Sequence, residues 1–481
     1  MRFLNRREFL NESALWSAAL AAVGGMKALP AEAAAAQGDA NSQLRVAVIG
    51  VKGRGRDHLA GFAGKHNCLV TTVCDVDTAF ADPAMKMVEK AQGKAPKFEQ
   101  DLRRVMDDKN IDVVSIATPN HWHALSAIWA LQAGKDVYVE KPVSHNVSEG
   151  RRIVEAARKY NKICQTGTQS RTNAGMKQSI DYARSGKIGK VTLARGLCYK
   201  NRPSIGKVEK ETAVPTTIDY DLWCGPAPKL PLMRKNLHYD WHWTWAYGNG
   251  DLGNQGIHEM DKARWGLGKN ELPKSVLSLG GRFGYTDDGE TANTQLCIFD
   301  YGDSQLVFEV RGLPSKDLLG AKVGNIFYGS EGYVVCPTYD SGVAFSPKGE
   351  VLDKFKGGGD HYGNFVASVR SRKHTDLNAD ILEGHLSSAL CHLGNISYRL
   401  GKQEPFAAGG KAFGDNKDAF EALTRMQDHL KENQVPVEDG QVRVGRKLAI
   451  NNSTESFVND KEADLQLTRE YRKGFEVPAK L

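Results

Sequence analysis

The stretch "RVAVIGVKGRGRDHLAGF", Arg45–Phe62, decides how the rest of the chain is read. Its apolar run Val46–Ile49 has strand character, enters a set of glycines and gives way to residues of helical type. A strand that turns through glycines into a helix presents free backbone N–H groups to an anion, and a dinucleotide pyrophosphate sits at such turns. In the fingerprint G-x-G-x-x-G, Gly50 and Gly55 take the first and last places, but Lys52 stands where the middle glycine belongs. Gly53, beside it, supplies backbone freedom one position later. The Lys52 side chain can point outward or reach a phosphate as a point charge. The helix starting near Arg54 still offers its N–H groups to an anion.

The surroundings complete the site. Strand-like runs at 45–49, 68–75, 112–119, 135–142 and 162–169 alternate with helical patterns such as "HWHALSAIWALQAG" and "SEGRRIVEAARKYN". This alternation predicts a doubly wound parallel sheet with ligands at the carboxyl ends of its strands. The second run ends at Asp75, 25 residues after Gly50, close to the spacing of about 20 expected for a carboxylate that accepts bonds from the adenine ribose hydroxyls. Val76 and Asp77 supply no cation beside it, so NAD is expected in preference to NADP. An Asp that merely ends a strand at a turn is the plain alternative.

After residue 170 the pattern changes. "GKVTLARGLCY", "SVLSLGGRF", "NTQLCIFDYG", "SQLVFEVRG" and "IFYGSEGYVVC" follow one another like hairpin strands, and helical runs resume in "DHYGNFVASVRSRK", "EGHLSSALCHLGNISYRLG" and "DAFEALTRMQDHLKEN". The expected class is α/β: a Rossmann domain over 42–167, then an α+β domain over 168–481 with an open, mainly antiparallel sheet.

Composition sets the outer limits. The 481 residues exceed what one core ordinarily supports, and 41% hydrophobic with 25% charged residues is ordinary for a globular chain. A net charge of +7 without a long basic run gives no reason to expect a nucleic-acid partner. The opening "NRREFLNESALWSAALAAVGGMKALPAEAAAA" pairs Arg6 with Arg7, continues with a moderately apolar stretch and closes on Ala31-Glu32-Ala33. It reads as a twin-arginine (Tat) export leader over 1–36, which places the mature protein in the periplasm or another extracytoplasmic space. A disordered terminus with a chance arginine pair is the alternative. Lys27 and two glycines interrupt the stretch, so no membrane anchor is expected. The eight cysteines form no C-x-x-C pair, and buried thiols suit a route that carries folded chains.

The third strand runs into "ATPNHWH", Ala117–His123, and the fourth into "VEKP", Val139–Pro142. With the glycine turn and Asp75, the T-P-N-x-x-H and E-K-P segments resemble the Gfo/Idh/MocA oxidoreductases, the family of glucose–fructose oxidoreductase and inositol dehydrogenase. The resemblance implies that Thr118, Pro119, Asn120 and His123 line a cofactor pocket, that Glu140 helps place the nicotinamide, and that Lys141 is the active-site lysine. An ammonium beside a substrate hydroxyl can orient the alcohol and stabilise developing oxyanion character; a solvated strand cap is the plain alternative. In "YGNGDLGNQGIHEMDKARWGLG", His258 falls on the family's histidine while Asn254 occupies the place of its aspartate, four residues earlier. An amide can orient an imidazole but not charge-stabilise it, so His258 is expected to be a weaker base, with Asp261 or Glu259 as substitutes. A core histidine is the alternative.

Upstream, "NLHYDWHWTWAYGNG" concentrates three tryptophans, including Trp243, with two tyrosines and two histidines. Such a run is either core or a platform for carbohydrate. Asp240 and His242, with Arg171 and Lys200 elsewhere, are the candidate hydroxyl-binding groups. A metal site on these histidines, or on His121 and His123, lacks the usual ligand spacing, so no metal is expected.

Three functions follow. The first is an NAD-dependent oxidoreductase acting on a sugar, polyol or glycoside. The second is a redox-neutral glycoside hydrolase or lyase with NAD held and recycled internally, which export beyond a soluble NAD pool would favour. The third is a sugar-binding relative without turnover, suggested by Lys52 and Asn254. The family's open sheet also implies a homodimer or homotetramer.

Overall fold

The structure is a computed structural model and describes residues 43–481 except Asp439. The expected leader lies outside the described residues. Leu44–Leu481 forms one compact unit built on two sheets.

The first sheet holds β1 (Leu44–Ile49), β2 (Cys68–Cys74), β3 (Lys97–Glu99), β4 (Val113–Ile116), β5 (Asp136–Val139) and β6 (Cys164–Thr166), all parallel, in the order 3-2-1-4-5-6. Its central strands are mostly apolar because both faces are covered; Val46, Ala47 and Val48 are fully buried, and Ser115 is the polar exception in β4. The order reverses between β1 and β4, and that switch point opens the crevice into which β1 delivers Gly50. Two helices follow the strands that flank it, α1 (Gly55–Phe62) and α2 (Asn120–Gln132), and α3 (Val147–Lys159) packs beside α2. The short edge strand β3 carries one apolar side chain, Phe98, and so shows no strand pattern in the sequence.

The second sheet is mixed and mainly antiparallel. Its strands are β7 (Val191–Tyr199), β8 (Ser275–Gly281), β9 (Thr294–Asp300), β10 (Gln305–Arg311), β11 (Val323–Gly329), β12 (Gly332–Cys336), β13 (Ser341–Phe345), β14 (Val351–Lys356), β15 (Lys402–Pro405) and β16 (Gln441–Val444). They lie in the order 14-13-12-11-7-10-9-8-16-15, and β17 (Leu448–Asn451) joins through β8. Strand β7 runs parallel to β10 and antiparallel to β11. "IFYGSEGYVVC" is itself a hairpin, with Ser330 and Glu331 turning β11 into β12. On one face lie α4 (Gly256–Gly266) and α5 (Ile381–Arg399); through α4 this face meets the crevice. On the other, α6 (Lys417–Glu432) sets Leu423, Met426 and Leu430 against Leu279, Leu296, Ile298 and Val307. Over β7–β10 the chain therefore covers its own sheet, and no partner is needed to keep that stretch from water.

Candidate active site

The glycine turn is dictated by crowding. Gly50 has φ +82°, and a Cβ there would lie 2.7 Å from the Ala117 carbonyl oxygen. A Cβ on Gly55 would stand 1.8 Å from the Gly50 oxygen, so Gly55 shapes the turn from behind and does not line the cavity. A Cβ on Gly53 would meet no protein atom within 4 Å, and Gly53 lines a cavity of about 590 Å³. The freedom missing at Lys52 is thus supplied at Gly53. Lys52 lines the same cavity, with Nζ 5.5 Å from the Phe80 ring centroid and near Asp75 and Asp77. A cation does accompany Asp75 after all, but it comes from the glycine turn.

At the end of β2, Asp75 accepts bonds from the N–H groups of Val51 (2.8 Å) and Asp77 (3.0 Å). Burial raises its pKa to about 6 in spite of those two donors. Thr118, Pro119, Asn120 and His123, from the β4–α2 junction, line the same cavity, and the Thr118 hydroxyl is buried without a protein partner.

Glu140 ends β5 at the centre of a network that the sequence does not disclose. It accepts from Arg54 Nε (3.0 Å) and Gln169 Nε2 (3.2 Å), and meets His58 Nε2 at 3.1 Å. His58 reaches Ser115 through its other nitrogen, at 2.8 Å. Burial alone would raise the Glu140 pKa; the bond to His58 and the charges of His58, Arg54 and Lys141 together bring it well below the usual range. Arg54 thereby ties the glycine turn to the E-K-P segment through its side chain, beyond its place at the helix start.

Lys141 and His258 converge on this cavity although they lie 117 residues apart. Lys141 Nζ donates to the main-chain carbonyl of Asn254 at 2.7 Å. Burial lowers the lysine pKa against the pull of Glu140. The Asn254 side chain does not hold the His258 ring; its contribution is a carbonyl that any residue would supply. Glu259 and Asp261 do not substitute for it: Glu259 meets Gln255 and Lys262, and Asp261 meets Arg171 and Ser387. His258 Nδ1 is buried without a partner, and burial followed by the Lys141 charge holds its pKa well below the ordinary histidine value. Its ring lies instead against Tyr339, centroids 4.9 Å apart.

The aromatic segment divides. His242 lines the cavity, stacked on Trp241 at 3.7 Å, with burial lowering its pKa to about 3. His238, Tyr239, Trp241 and Asn236 line it as well, with Trp223 and Tyr339 from elsewhere. Four expected substrate groups are occupied otherwise. Arg171 is buried in a two-point pair with Asp261 and a further pair with Glu383. Asp240 accepts from the Asn236 N–H and fixes its own turn. Trp243 is buried beneath Arg202, and Lys200 donates to Gln255 Oε1 at 3.0 Å. His121 is buried against the carbonyls of Trp223 and Tyr247, and His123 against those of Pro142 and Thr118. Among the described residues no group of three His, Cys, Asp or Glu side chains is placed to hold a metal, and no helix is long and apolar enough to cross a membrane.

A glycine turn at the switch point of a parallel sheet, with a lysine and a histidine lining the same cavity, is the arrangement of a dinucleotide-binding fold. The chain belongs to the Gfo/Idh/MocA oxidoreductase family: residues 44–168 match its NAD-binding Rossmann fold and 176–431 its C-terminal alpha/beta domain. It is 29% identical to an inositol 2-dehydrogenase of Salmonella paratyphi B over 37% of this chain and 52% of the relative. It is also 29% identical to a glycosyl hydrolase family 109 protein of Shewanella pealeana, over 38% of this chain and 41% of that one. These matches span about half or less of the relatives' length. The fold is shared with the WlbA dehydrogenase of Bordetella pertussis, solved with NADH and UDP-GlcNAcA, at TM-score 0.54 and 20% identity, covering 74% of this chain and 97% of that one.

Proposed function

We propose that the protein is an NAD-dependent oxidoreductase that exchanges a hydride with a hydroxyl-bearing carbon of a sugar, polyol or glycoside. The observation that carries this is the meeting of Lys141 and His258 in the cavity that also holds the Gly50–Arg54 turn and Asp75. The residues fit the cofactor. Gly53 leaves room for a pyrophosphate, Asp75 offers a carboxylate to ribose hydroxyls, and the unpartnered Thr118 hydroxyl faces no competing protein group. Bound NAD would supply the hydride acceptor or donor. Lys141, steadied by the Asn254 carbonyl, holds the reacting hydroxyl and takes up or returns its proton at Nζ, helped by its lowered pKa. His258 is neutral and can exchange a proton at Nε2, since Nδ1 is buried. Glu140 fixes the lysine's surroundings, and the rings of Trp223, Trp241 and Tyr339 give the cavity an apolar wall.

A second reading, net hydrolysis or elimination of a glycoside with NAD retained, is favoured by one feature. The segment 214–247 is fastened over the cavity: Thr78 N donates to Thr217 O (3.0 Å), Asp219 N to Val76 O (3.0 Å), and His238 meets Asp77 at 2.9 Å. The glycosyl hydrolase relative and the Arg6-Arg7 leader support the same reading, with the protein exported to the periplasm. Homodimerisation or tetramerisation is supported by the half-buried ladder of Tyr328, Tyr333 and Phe345 on β11–β13.

One screen separates these readings. Purified protein is offered myo-inositol, free hexoses and p-nitrophenyl glycosides, while NADH absorbance and nitrophenol release are followed. NADH formation supports the oxidoreductase. Nitrophenol release without added NAD and without net NADH supports the redox-neutral enzyme. Sugar binding without either signal overturns both and leaves the sugar-binding relative.

A further inference from the structure

Tyr339 lies in the turn between β12 and β13, remote in sequence from Lys141 and His258, yet it lines their cavity. Its main chain is pinned by Asn173, whose Nδ2 donates to the Tyr339 carbonyl at 3.0 Å. Its ring lies between the His258 imidazole, 4.9 Å away, and the buried ammonium of Lys262, 5.1 Å from the ring centroid.

The polar end of this tyrosine is set by a chain of donors whose direction can be read. Lys200 has only protons to give, so the Gln255 atom it meets at 3.0 Å is the amide oxygen. The Gln255 nitrogen must then face Tyr339 Oη at 2.8 Å and Glu259 at 3.3 Å. Tyr339 Oη accepts that bond, so the phenol's own proton remains to be given elsewhere, and no bond takes it among the described residues. Burial, followed by the charge of Glu259, raises the phenol pKa, which keeps that proton in place at neutral pH.

We propose that Tyr339 is a substrate-binding donor of this cavity: its O–H meets a neutral oxygen beside the reacting carbon, and its ring, in place of the residue-254 side chain, positions His258. The inference rests on the sugar, polyol or glycoside reading above and specifies what such a substrate must offer, an uncharged hydroxyl or acetal oxygen next to the carbon held by Lys141. Lys200 and Gln255 act behind Tyr339 as positioning residues.

The test compares wild type with Tyr339→Phe and Tyr339→Leu on the best substrate of the screen. Tyr339→Phe keeps the ring against His258 and removes only the donor. It is expected to raise KM about 5- to 30-fold, the effect of one lost hydrogen bond in a site built to make it, with kcat changed less than about 3-fold and NAD still bound. Tyr339→Leu removes the ring too and is expected to lower kcat as well. A Tyr339→Phe variant with wild-type KM overturns the donor role, and equal kcat in the Phe and Leu variants overturns the positioning role. Should no substrate turn over, the same saccharides are titrated into the NAD-loaded protein and read by the fluorescence of Trp223 and Trp241, which line the cavity. Weaker binding in Tyr339→Phe supports the donor. Equal binding in both proteins overturns it alone, whereas no binding in wild type overturns the functional reading and this inference together.

Discussion

The two ends of the cavity are built on opposite terms. At the end lined by Gly50–Arg54 and Asp75, most polar groups are engaged with protein, Asp75 with Val51 and Asp77, Arg54 with Glu140 and Asp57, His238 with Asp77, and the Thr118 hydroxyl is left open there. At the end where Lys141, His258 and Tyr339 meet, His258 Nδ1 is buried without a partner, the Tyr339 proton is ungiven, and the lysine has a single carbonyl bond. Buried polar groups without partners are costly, and those that line a cavity are the ones a ligand can satisfy. The first end is therefore made to hold, and the second to react.

The largest expected effect separates those roles. Lys141→Ala should abolish hydride transfer, a loss of 10³-fold or more, while NAD stays bound, because the binding groups lie at the other end. His258→Ala should slow turnover roughly 10²–10⁴-fold, the ordinary weight of a general acid–base group. Stopped-flow reduction and NAD titration check both. Loss of NAD binding in Lys141→Ala would erase the division between the two ends.

How much of this could be read in the sequence follows from the same division. The glycine turn, Asp75 and the E-K-P segment are strand ends, and strand order fixes where strand ends meet; that part was legible. The reacting end depends on contacts between distant segments. Tyr339 belongs to a turn with no chemical signature, and His58 and Arg54 gain their meaning only when α1 packs beside Glu140. The aspartate-to-asparagine departure at 254 looks damaging in sequence, but the structure uses the main-chain carbonyl there, which the exchange leaves intact. Arg171 failed as a substrate group for a complementary reason: a buried guanidinium beside two carboxylates is fully spent on them.

A middle-sized effect concerns Asp75. Its folded pKa of about 6 lies above the ordinary aspartate value, so its contribution to stability is full below about pH 4 and is lost as pH rises through 6. Ribose hydroxyls donate to the ionised carboxylate, so the linkage for NAD has the opposite sign. Affinity should weaken as pH falls through 6, by up to about 10-fold per pH unit. Asp75→Asn should bind NAD more weakly at pH 7.5 and lose that pH dependence. Calorimetric titration from pH 5 to 8 checks this, and an unchanged pH profile in Asp75→Asn would remove Asp75 from the holding end.

The smallest effect tests whether the holding end is also held from outside. Arg472, in the C-terminal tail, donates from Nη1 to the carbonyls of Asp221 (3.0 Å) and Gly225 (3.1 Å), pairs with the Asp221 carboxylate, and stacks on Phe475. Phe475 in turn packs edge-on against Trp122 of α2, whose Nε1 donates to Leu222 O. The tail thus fastens the 214–247 segment to the Rossmann helix α2 through residues that make no bond to Lys141 or His258. Arg472→Ala removes several partly exposed bonds, a loss of about 1–2 kcal/mol, which in a chain of this size moves Tm by only a few degrees. If that segment retains the cofactor, the same substitution should speed NAD release several-fold, measured by chase with excess unlabelled NAD, while kcat at saturating NAD stays within about 2-fold of wild type. Faster release at constant kcat would make the tail part of the holding end. Unchanged release with a lowered Tm would confine it to stability, and the case for a retained cofactor would then rest on the 214–247 contacts alone.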